Sequence, residues 1–170
     1  MKKIIYSITI ATLAIGCVNN PDGVEAETTS AQSVLDAEGV KFAVDATAST
    51  IEWHGNKVSG KHHGTIKVKE GSLTIADGQL SAGNFTIDMA SLNNLDITDA
   101  EYKGQLEGHL KSDDFFAVDK FPTSKFEITG VNALDSNKLS ISGNLTIRDT
   151  TNNITFEAQV VENTPERFVA

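Results

Sequence analysis

The sequence predicts an all-β fold, an antiparallel sandwich or barrel of about eight strands with one short helix. From Val40 to Val160, apolar and polar residues alternate over most of the chain, which is the period of a strand with one buried face. The alternating runs follow each other closely, and most are joined by short turns. One segment near residue 100 has helical spacing instead.

Eight segments carry the alternating pattern and are predicted to be strands. They are residues 40–44, 50–54, 65–69, 72–75, 84–89, 125–129, 139–147 and 154–160. Asp77-Gly78 is a residue pair typical of a tight hairpin turn, so the chain is expected to reverse there. The apolar residues predicted to face inward are Ile51, Trp53, Ile66, Val68, Leu73, Ile75, Phe85, Ile87, Met89, Phe126, Ile128, Leu139, Ile141, Leu145, Ile147, Phe156 and Val160.

A short helix is predicted at about residues 99–111. Thr98 and Glu101 have the spacing of a capping box, in which the two side chains satisfy backbone N–H groups of the first turn. The apolar stripe of this helix is Tyr102, Leu106 and Leu110. Gly104 and Gly108 each make helix formation less favourable by about 1 kcal/mol relative to alanine. We therefore expect the helix to depend on packing its stripe against one end of the sheet, which it caps.

Residues 1–17 have the organisation of a bacterial export signal. Two lysines precede the apolar stretch 4–15, which is too short to cross about 30 Å of hydrocarbon as a helix. The stretch ends in Leu13-Ala14-Ile15-Gly16-Cys17, which resembles the lipobox of bacterial lipoproteins. Cys17, the only cysteine, is therefore interpreted as a lipidated membrane anchor. An ordinary secretory signal with a stray cysteine is the alternative.

Residues 18–38 are polar, poor in aromatic residues and without periodicity, so they are predicted to form a flexible tether with a reach of roughly 25 Å. The barrel domain is assigned to residues 39–164 and a C-terminal tail to residues 165–170. Val18 gives no aspartate-type signal for retention at the inner membrane. This favours the outer membrane or the periplasmic face of the cell envelope.

Composition and charge exclude several classes of function. The chain is acidic, with a formal net charge of −9, whereas nucleic-acid affinity comes mainly from Lys and Arg. No DNA or RNA partner is therefore expected. A single cysteine excludes an intramolecular disulfide and a zinc site made only of cysteines. The histidines His54, His62, His63 and His109 lack a zinc-binding spacing and are interpreted as solvated or mouth-lining, so no metal is expected.

The sequence carries no recognised catalytic motif, so neither enzymatic activity nor a cofactor is expected. Gly-x-Ser-x-Gly, a Cys/His pair and a dinucleotide-binding turn are all missing. The run from Gly55 to Lys61 matches G-x-x-x-x-G-K, but His62 stands where a Ser or Thr hydroxyl would bind Mg²⁺. Asp113 and Asp114 are interpreted as the start of a turn.

Three groups of residues carry a resemblance to one known family. The most specific is Leu110-Lys111-Ser112-Asp113-Asp114-Phe115-Phe116 followed by Lys120-Phe121-Pro122 and Phe126, which is similar to the signature L-x-S-x-D-F-F-x-x-x-K-F-P-x-x-x-F of the YceI-like family. The others are Gly143-Asn144-Leu145-Thr146-Ile147-Arg148 with Thr150 and Phe156, and the series Trp53, Gly55, Lys57, Gly60, His62 and Gly64. The last is similar to lipoprotein members of the Bacteroidetes type.

The resemblance implies a lipocalin-like antiparallel barrel whose hydrophobic interior binds a long-chain isoprenoid lipid, a quinone or a prenyl phosphate, in the bacterial periplasm. The candidates for ligand contact inside the barrel are Trp53, Ile66, Val68, Phe85, Ile87, Met89, Phe126, Ile128, Ile141, Leu145 and Phe156. Phe115, Phe116 and Phe121 are candidates in a loop over one end, and Lys57 and Lys61 are candidates for an anionic headgroup.

Core packing is the alternative reading for each of these apolar residues. A second function therefore stays open at this point, a barrel with a filled interior that acts as a structural or protein-interaction module of the cell envelope. A tunnel lined by Phe and Ile and larger than about 300 Å³ would favour lipid binding.

Overall fold

The computed structural model of the chain describes residues 27–57 and 60–170, so the predicted signal peptide and Cys17 lie outside the described residues. The elements follow in this order: β1 (Glu27–Ser30), β2 (Val40–Ala43), β3 (Thr50–Lys57), β4 (Gly60–Ala76), β5 (Gln79–Asn94), α1 (Ala100–Lys111), β6 (Thr123–Ala133), β7 (Lys138–Ile147), β8 (Thr150–Gln159), β9 (Glu162–Asn163) and β10 (Phe168–Val169). The predicted all-β class with one short helix is confirmed.

Strands β1 to β8 form one antiparallel sheet of eight strands, as predicted. The order across the sheet is β1-β8-β7-β6-β5-β4, and β2 and β3 pair with different stretches of the far edge of β4. The expected closure into a ring is not observed. Within the described residues, neither β1 nor β8 contacts β2 or β3, so the sheet keeps two open edges.

The sheet has eight strands, as predicted, but two of the predicted segments belong to one strand and one observed strand was not predicted. The segments predicted as strands 65–69 and 72–75 are a single long strand, β4, with an irregularity between Val68 and Glu70. Gly71 permits this continuity, because a Cβ atom there would lie 2.6 Å from the carbonyl oxygen of Asn84 on β5. The remaining strand is β1, which lies in the segment predicted to be a tether.

The hairpin turn predicted between β4 and β5 is confirmed. Asp77 and Gly78 have positive φ angles of 51° and 75°, the left-handed conformation that both central residues of a type I′ turn require. β5 therefore runs back along β4, and the two strands form the longest pairing of the sheet.

The helix α1 begins one residue later than predicted, and its cap differs from the predicted capping box. The side chain of Asp99, in place of Thr98, accepts hydrogen bonds from the backbone N–H groups of Glu101 and Tyr102. Leu110 packs against the sheet as expected, whereas Tyr102 is 65% exposed. Each four-residue step overshoots a helical turn by about 40°, so Tyr102 lies about 80° around the axis from Leu110.

Residues 31–39, which we call the strap, cross the face of the sheet opposite its hydrophobic clusters. The strap starts at β1 on the edge of β8 and ends at β2 on the edge of β4. Gln32 and Asn144 exchange two hydrogen bonds, Gln32 N–H to Asn144 Oδ1 at 2.9 Å and Asn144 Nδ2 to the Gln32 carbonyl at 2.8 Å. The backbone N–H of Leu35 donates to the carbonyl of Ile128 at 3.1 Å. Residues 27–38 are thus bound to the sheet, in contrast to the predicted free tether.

Two hydrophobic clusters lie on the inward face of the sheet. The helix-end cluster contains Ile66, Ile87, Met89, Leu92 and Val118, with Ile51, Trp53, Leu110 and Phe116 packed against it. The far cluster contains Leu80, Phe126, Ile128 and Ile141, with a wider rim that includes Phe85, Leu145, Ile154 and Phe168. Because Phe168 belongs to β10 and packs on this rim, the predicted tail 165–170 is part of the folded domain.

Candidate functional site

The inward face of the sheet collects most of the residues predicted to contact a ligand. Ile66, Val68, Ile87, Met89, Phe126, Ile128 and Ile141 are buried, and Trp53, Phe85, Phe116, Phe121 and Leu145 are half-buried. Phe115 and Phe156 differ from the rest, because 48% and 40% of their surfaces are exposed. The alternation along the strands therefore predicted correctly which side chains face inward. The exposed fraction of each side chain then distinguishes the buried residues from the accessible ones.

An aromatic row crosses the far cluster from β5 to β8. The ring centroids of Phe85 and Phe126 are 6.3 Å apart, and those of Phe126 and Phe156 are 5.6 Å apart. β7 lies between β6 and β8, and Gly143 is the residue of β7 beneath the Phe126 ring. A Cβ atom at Gly143 would come within 2.8 Å of three carbons of that ring, so only glycine leaves room for the row.

The aromatic row ends at a partly exposed ring on β8, the strand next to the edge strand β1. Phe156 is inward-facing, because its paired residue Ile141 belongs to the far cluster, and it is 40% exposed. Val40 on the edge strand β2 is inward-facing by the same criterion, since it pairs with Ile75, and it is 62% exposed. The inward apolar face is thus accessible to solvent at these two positions, as a surface that admits an apolar ligand must be.

The loop between α1 and β6 places three aromatic rings at the helix end of the sheet. Phe115 and Phe116 meet edge to face with centroids 5.0 Å apart. The guanidinium of Arg148, in the turn between β7 and β8, donates to the carbonyl of Phe115 at 3.0 Å and lies 5.8 Å from the centre of the Phe121 ring. Arg148 thereby fixes the loop that carries the exposed Phe115. No pattern in the sequence indicated this role of Arg148.

The two lysines proposed for an anionic headgroup do not converge. Lys57 pairs with Gly60 at the end of the β3–β4 hairpin, and Lys61 pairs with Asn56. Because successive residues of a strand point to opposite faces, Lys57 lies on the face of Trp53, and Lys61 lies on the face of His54. One headgroup in the interior would therefore meet at most Lys57.

A polar network at the start of β4 includes two of the four histidines. The carboxylate of Asp96 accepts from the ring Nδ1 of His62 at 2.9 Å, from the backbone N–H of His63 at 2.8 Å and from Nδ2 of Asn94 at 2.7 Å. Burial would raise the pKa of Asp96, but these hydrogen bonds together outweigh it and hold the pKa below its ordinary value. Sequence inspection did not single out Asp96, which stands alone beyond β5.

The other histidines are dispersed over the surface. His54 stacks on His63 with ring centroids 6.0 Å apart, and His109 meets the ring of Phe115 edge to face. In the part of the chain that the structure describes, no three side chains of His, Cys, Asp or Glu are grouped closely enough to hold a metal ion.

A cavity of about 120 Å³ lies under the strap, on the outer face of the sheet. Its walls include Leu35, Lys41, Thr74, Asn84 and Glu127. This cavity is smaller and more polar than the tunnel that an isoprenoid chain needs, and it lies on the opposite side from the aromatic row. It is therefore not the predicted ligand tunnel.

Sequence reasoning missed three buried members of the clusters. Leu80 and Leu92 belong to β5, which extends beyond the predicted strand 84–89 at both ends, and Val118 follows the helix in a loop. Gly83 and Ala90, which flank the predicted strand, obscured the length of β5, because glycine and alanine are depleted in strands. Val118 carries no periodic signal, because it belongs to an irregular segment.

Comparison with known proteins identifies the family. The family model described as YceI-like domain matches residues 42–170, which is most of the described chain. The chain belongs to the YceI-like family. The resemblance found in the motifs is thus confirmed, whereas the lipoprotein type stays a prediction, because residues 1–17 lie outside the matched and described regions.

Two curated relatives illustrate the similarity. Protein YceI of Salmonella newport is 27% identical over 161 residues, which cover 95% of this chain and 74% of that protein. The UPF0312 protein of Enterobacter sp. (strain 638) is 34% identical over 99 residues, covering 58% of this chain and 48% of the relative. The chain thus spans about half the length of the latter protein.

Solved structures of two related proteins are also similar. BcnA of Burkholderia cenocepacia is 22% identical with a TM-score of 0.44, covering 56% of this chain and 61% of that one. The YceI protein of Campylobacter jejuni is 16% identical with a TM-score of 0.43, covering 91% of this chain and 70% of that one.

Among the described residues of this chain, no helix has the length and apolar character needed to cross a membrane.

Proposed function

We propose that this protein binds and stores or transports a long-chain isoprenoid lipid on the inward face of its sheet, without catalysing a reaction. The observation that carries the proposal is the aromatic row of Phe85, Phe126 and Phe156, which runs through the apolar interior and ends at the partly exposed ring of Phe156. A row of rings with an exposed end offers a long polyunsaturated chain continuous apolar contact. Membership of the YceI-like family supports the same ligand class.

The lipid is proposed to be handled at the bacterial cell envelope, with acylated Cys17 as the membrane anchor. If the anchor forms, only residues 18–26 separate it from β1, because the chain is bound to the sheet from residue 27 onward. Nine residues span at most about 30 Å when fully extended. The domain would therefore be held close to the lipid surface, which favours direct exchange of a lipid with the membrane.

The ligand is tested by extraction. The full chain is expressed with its own leader in a bacterium that makes quinones and prenyl phosphates, purified in mild detergent and extracted with organic solvent, and the lipids are identified by mass spectrometry. We expect about one isoprenoid per protein. A clean protein that also takes up no added isoprenoid would refute the proposal and favour the filled-barrel module, for which the packed clusters around Ile128 and Met89 are the supporting observation.

Two matched variants locate the lipid on the inward face. Phe156→Asp places a carboxylate on the exposed inward end of the row, and Gln159→Asp places one on the opposite face of the same strand. Both positions are exposed, so both variants are expected to fold. Phe156→Asp should lose most of the bound lipid and Gln159→Asp should keep it. Equal retention by the two variants would contradict binding along the row.

The anchor is tested separately by metabolic labelling with an alkyne fatty acid. Cys17 is the only cysteine, so Cys17→Ala should abolish labelling and move the protein out of the membrane fraction. Unchanged labelling would refute the lipoprotein assignment and leave the proposal of lipid binding intact.

A further inference from the structure

The indole N–H of Trp53 is a buried hydrogen-bond donor without an acceptor among the described residues. Its Nε1 atom is shielded from solvent, and no described atom accepts from it. Trp53 lies on the inward face of β3 and packs against the helix-end cluster. A shielded donor that has lost its water partner and gained no other is costly, and buried indole N–H groups usually find a partner.

The position of the Trp53 ring is fixed by the neighbouring strand. Trp53 pairs with Gly64 on β4, and a Cβ atom at Gly64 would lie 2.7 Å from the Cε2 and Cζ2 atoms of the indole. The glycine thus lets the ring lie flat on the backbone of β4. The adjacent carbonyl of His63 already accepts from Leu95 N–H at 3.0 Å and from Asn94 Nδ2 at 3.1 Å.

A second donor, which has only a weak acceptor, contacts one member of this cluster. Ser124 on β6 is 3% exposed, and its hydroxyl donates to the thioether sulfur of Met89 at 3.0 Å. Met89 belongs to the helix-end cluster against which Trp53 packs. A thioether accepts hydrogen bonds poorly, so the Ser124 hydroxyl can turn to a better acceptor at little cost.

The surroundings of these donors suit a neutral acceptor. The buried members of the helix-end cluster are Ile66, Ile87, Met89, Leu92 and Val118, and none of them is charged. A phosphate placed among these buried residues would have no cation beside it within the cluster, whereas a carbonyl oxygen brings no net charge. The chemistry of the cluster therefore favours a carbonyl group over a phosphate.

We propose that Trp53 Nε1 donates a hydrogen bond to a neutral carbonyl oxygen of the bound lipid, so that the site selects carbonyl-bearing isoprenoids such as prenylated quinones over prenyl phosphates. This inference rests on the proposed function and specifies its ligand. The carbonyl head lies at the helix end, and the isoprenoid tail follows the inward face toward the row of Phe85, Phe126 and Phe156.

Trp53 is the only tryptophan in the chain, which gives the test a direct signal. The full-length protein, labelled with ¹⁵N in mild detergent, has one indole N–H resonance. It is titrated with three probes that share a farnesyl tail and carry a benzoquinone, a monophosphate or no head. We expect the benzoquinone probe alone to move the indole proton downfield, as a new hydrogen bond to a carbonyl does. Binding of all three probes without this movement would overturn the inference.

Trp53→Phe separates the hydrogen bond from ring packing. In the protein without lipid, the variant removes the unpaired indole N–H donor. In the complex, it removes the hydrogen bond from the indole to the carbonyl oxygen. The smaller ring also loses packing against the cluster, so the melting temperature should change little, while the affinity for the benzoquinone probe should fall about 5- to 150-fold relative to wild type. Affinity for the headless probe should change less than twofold. Equal losses for both probes would show that Trp53 acts by packing alone.

Two further variants serve as controls. Ser124→Ala removes the other weakly paired donor and should change the affinity for the benzoquinone probe less than twofold; a loss as large as that of Trp53→Phe would assign the hydrogen bond to Ser124 instead. Phe116→Leu alters a ring of the same cluster that carries no donor, so it should change the affinity for both probes alike. If none of the three probes binds and no lipid co-purifies, the proposed function itself fails, and the inference fails with it.

Discussion

Replacing Gly143 with alanine should destabilise the protein, although alanine is ordinarily the better residue in a strand. The added methyl group would lie within 2.8 Å of three carbons of the Phe126 ring, and that ring is buried between Phe85 and Phe156. Overpacking of this kind costs about 1–3 kcal/mol. The lower backbone entropy of unfolded alanine returns about 0.5–1 kcal/mol. We therefore expect a net loss of about 1–2 kcal/mol in the free energy of unfolding.

The measurement is urea unfolding of the full chain, followed by Trp53 fluorescence and by far-ultraviolet circular dichroism. Gly143→Ala should lower the midpoint without changing the slope, because the surface exposed on unfolding stays the same. A double-mutant cycle assigns the cause. In the background of Phe126→Leu, which removes the ring, Gly143→Ala should be neutral or stabilising, with a coupling of at least about 1 kcal/mol. A neutral single variant, or strictly additive effects, would refute the steric explanation of the aromatic row.

Three further predictions concern the turn, the strap and the acid response. Gly78→Ala meets no neighbouring atom, so its positive φ alone should cost about 1 kcal/mol in the same urea assay. Asn144→Ala removes both bonds to Gln32, so hydrogen exchange should show the Gln32 amide at least about tenfold less protected. The pKa of Asp96 is lowered in the folded state, so its contribution is complete above its unfolded pKa near 3.9 and is lost as the pH falls further. Thermal melts of Asp96→Asn should therefore show a loss of about 1 kcal/mol at pH 7 that shrinks below about pH 4.

The alternation of apolar residues predicted the two faces of the sheet because the side-chain period of a strand is fixed by its backbone. Phe126 and Ile128 are inward-facing as predicted, and their neighbours Lys125 and Glu127 lie on the other face. Alternation carries no information on which strands are continuous. The predicted break at Gly71 is absent because the glycine meets the backbone of β5, a contact distant in sequence that only the folded sheet reveals.

The strap was interpreted as a tether for a related reason. Residues 31–39 contain no alternating run, and their polar composition is that of a solvated segment. They are bound through backbone groups and one side-chain amide, that of Asn144, which is buried beneath them. A buried asparagine on the outward face of a strand is the signal that could have indicated a covering segment, since a buried amide needs partners. The composition of the covering segment itself gave no such indication.

Apolar residues on an inward face are equally consistent with a filled core and with a binding surface, so they cannot decide the function. The decisive position is the one where core packing alone offers no reason for the residue. Gly143 has a packing reason, since it leaves room for the Phe126 ring, whereas Trp53 leaves a donor unpaired in an apolar cluster. Local rules of stability are broken mainly at functional sites. This exception occurs on the inward face, at the helix end. An unpaired donor there does not benefit a protein whose interior is only packed, which is why the proposed polar head of the ligand is assigned to Trp53 and not to the aromatic row.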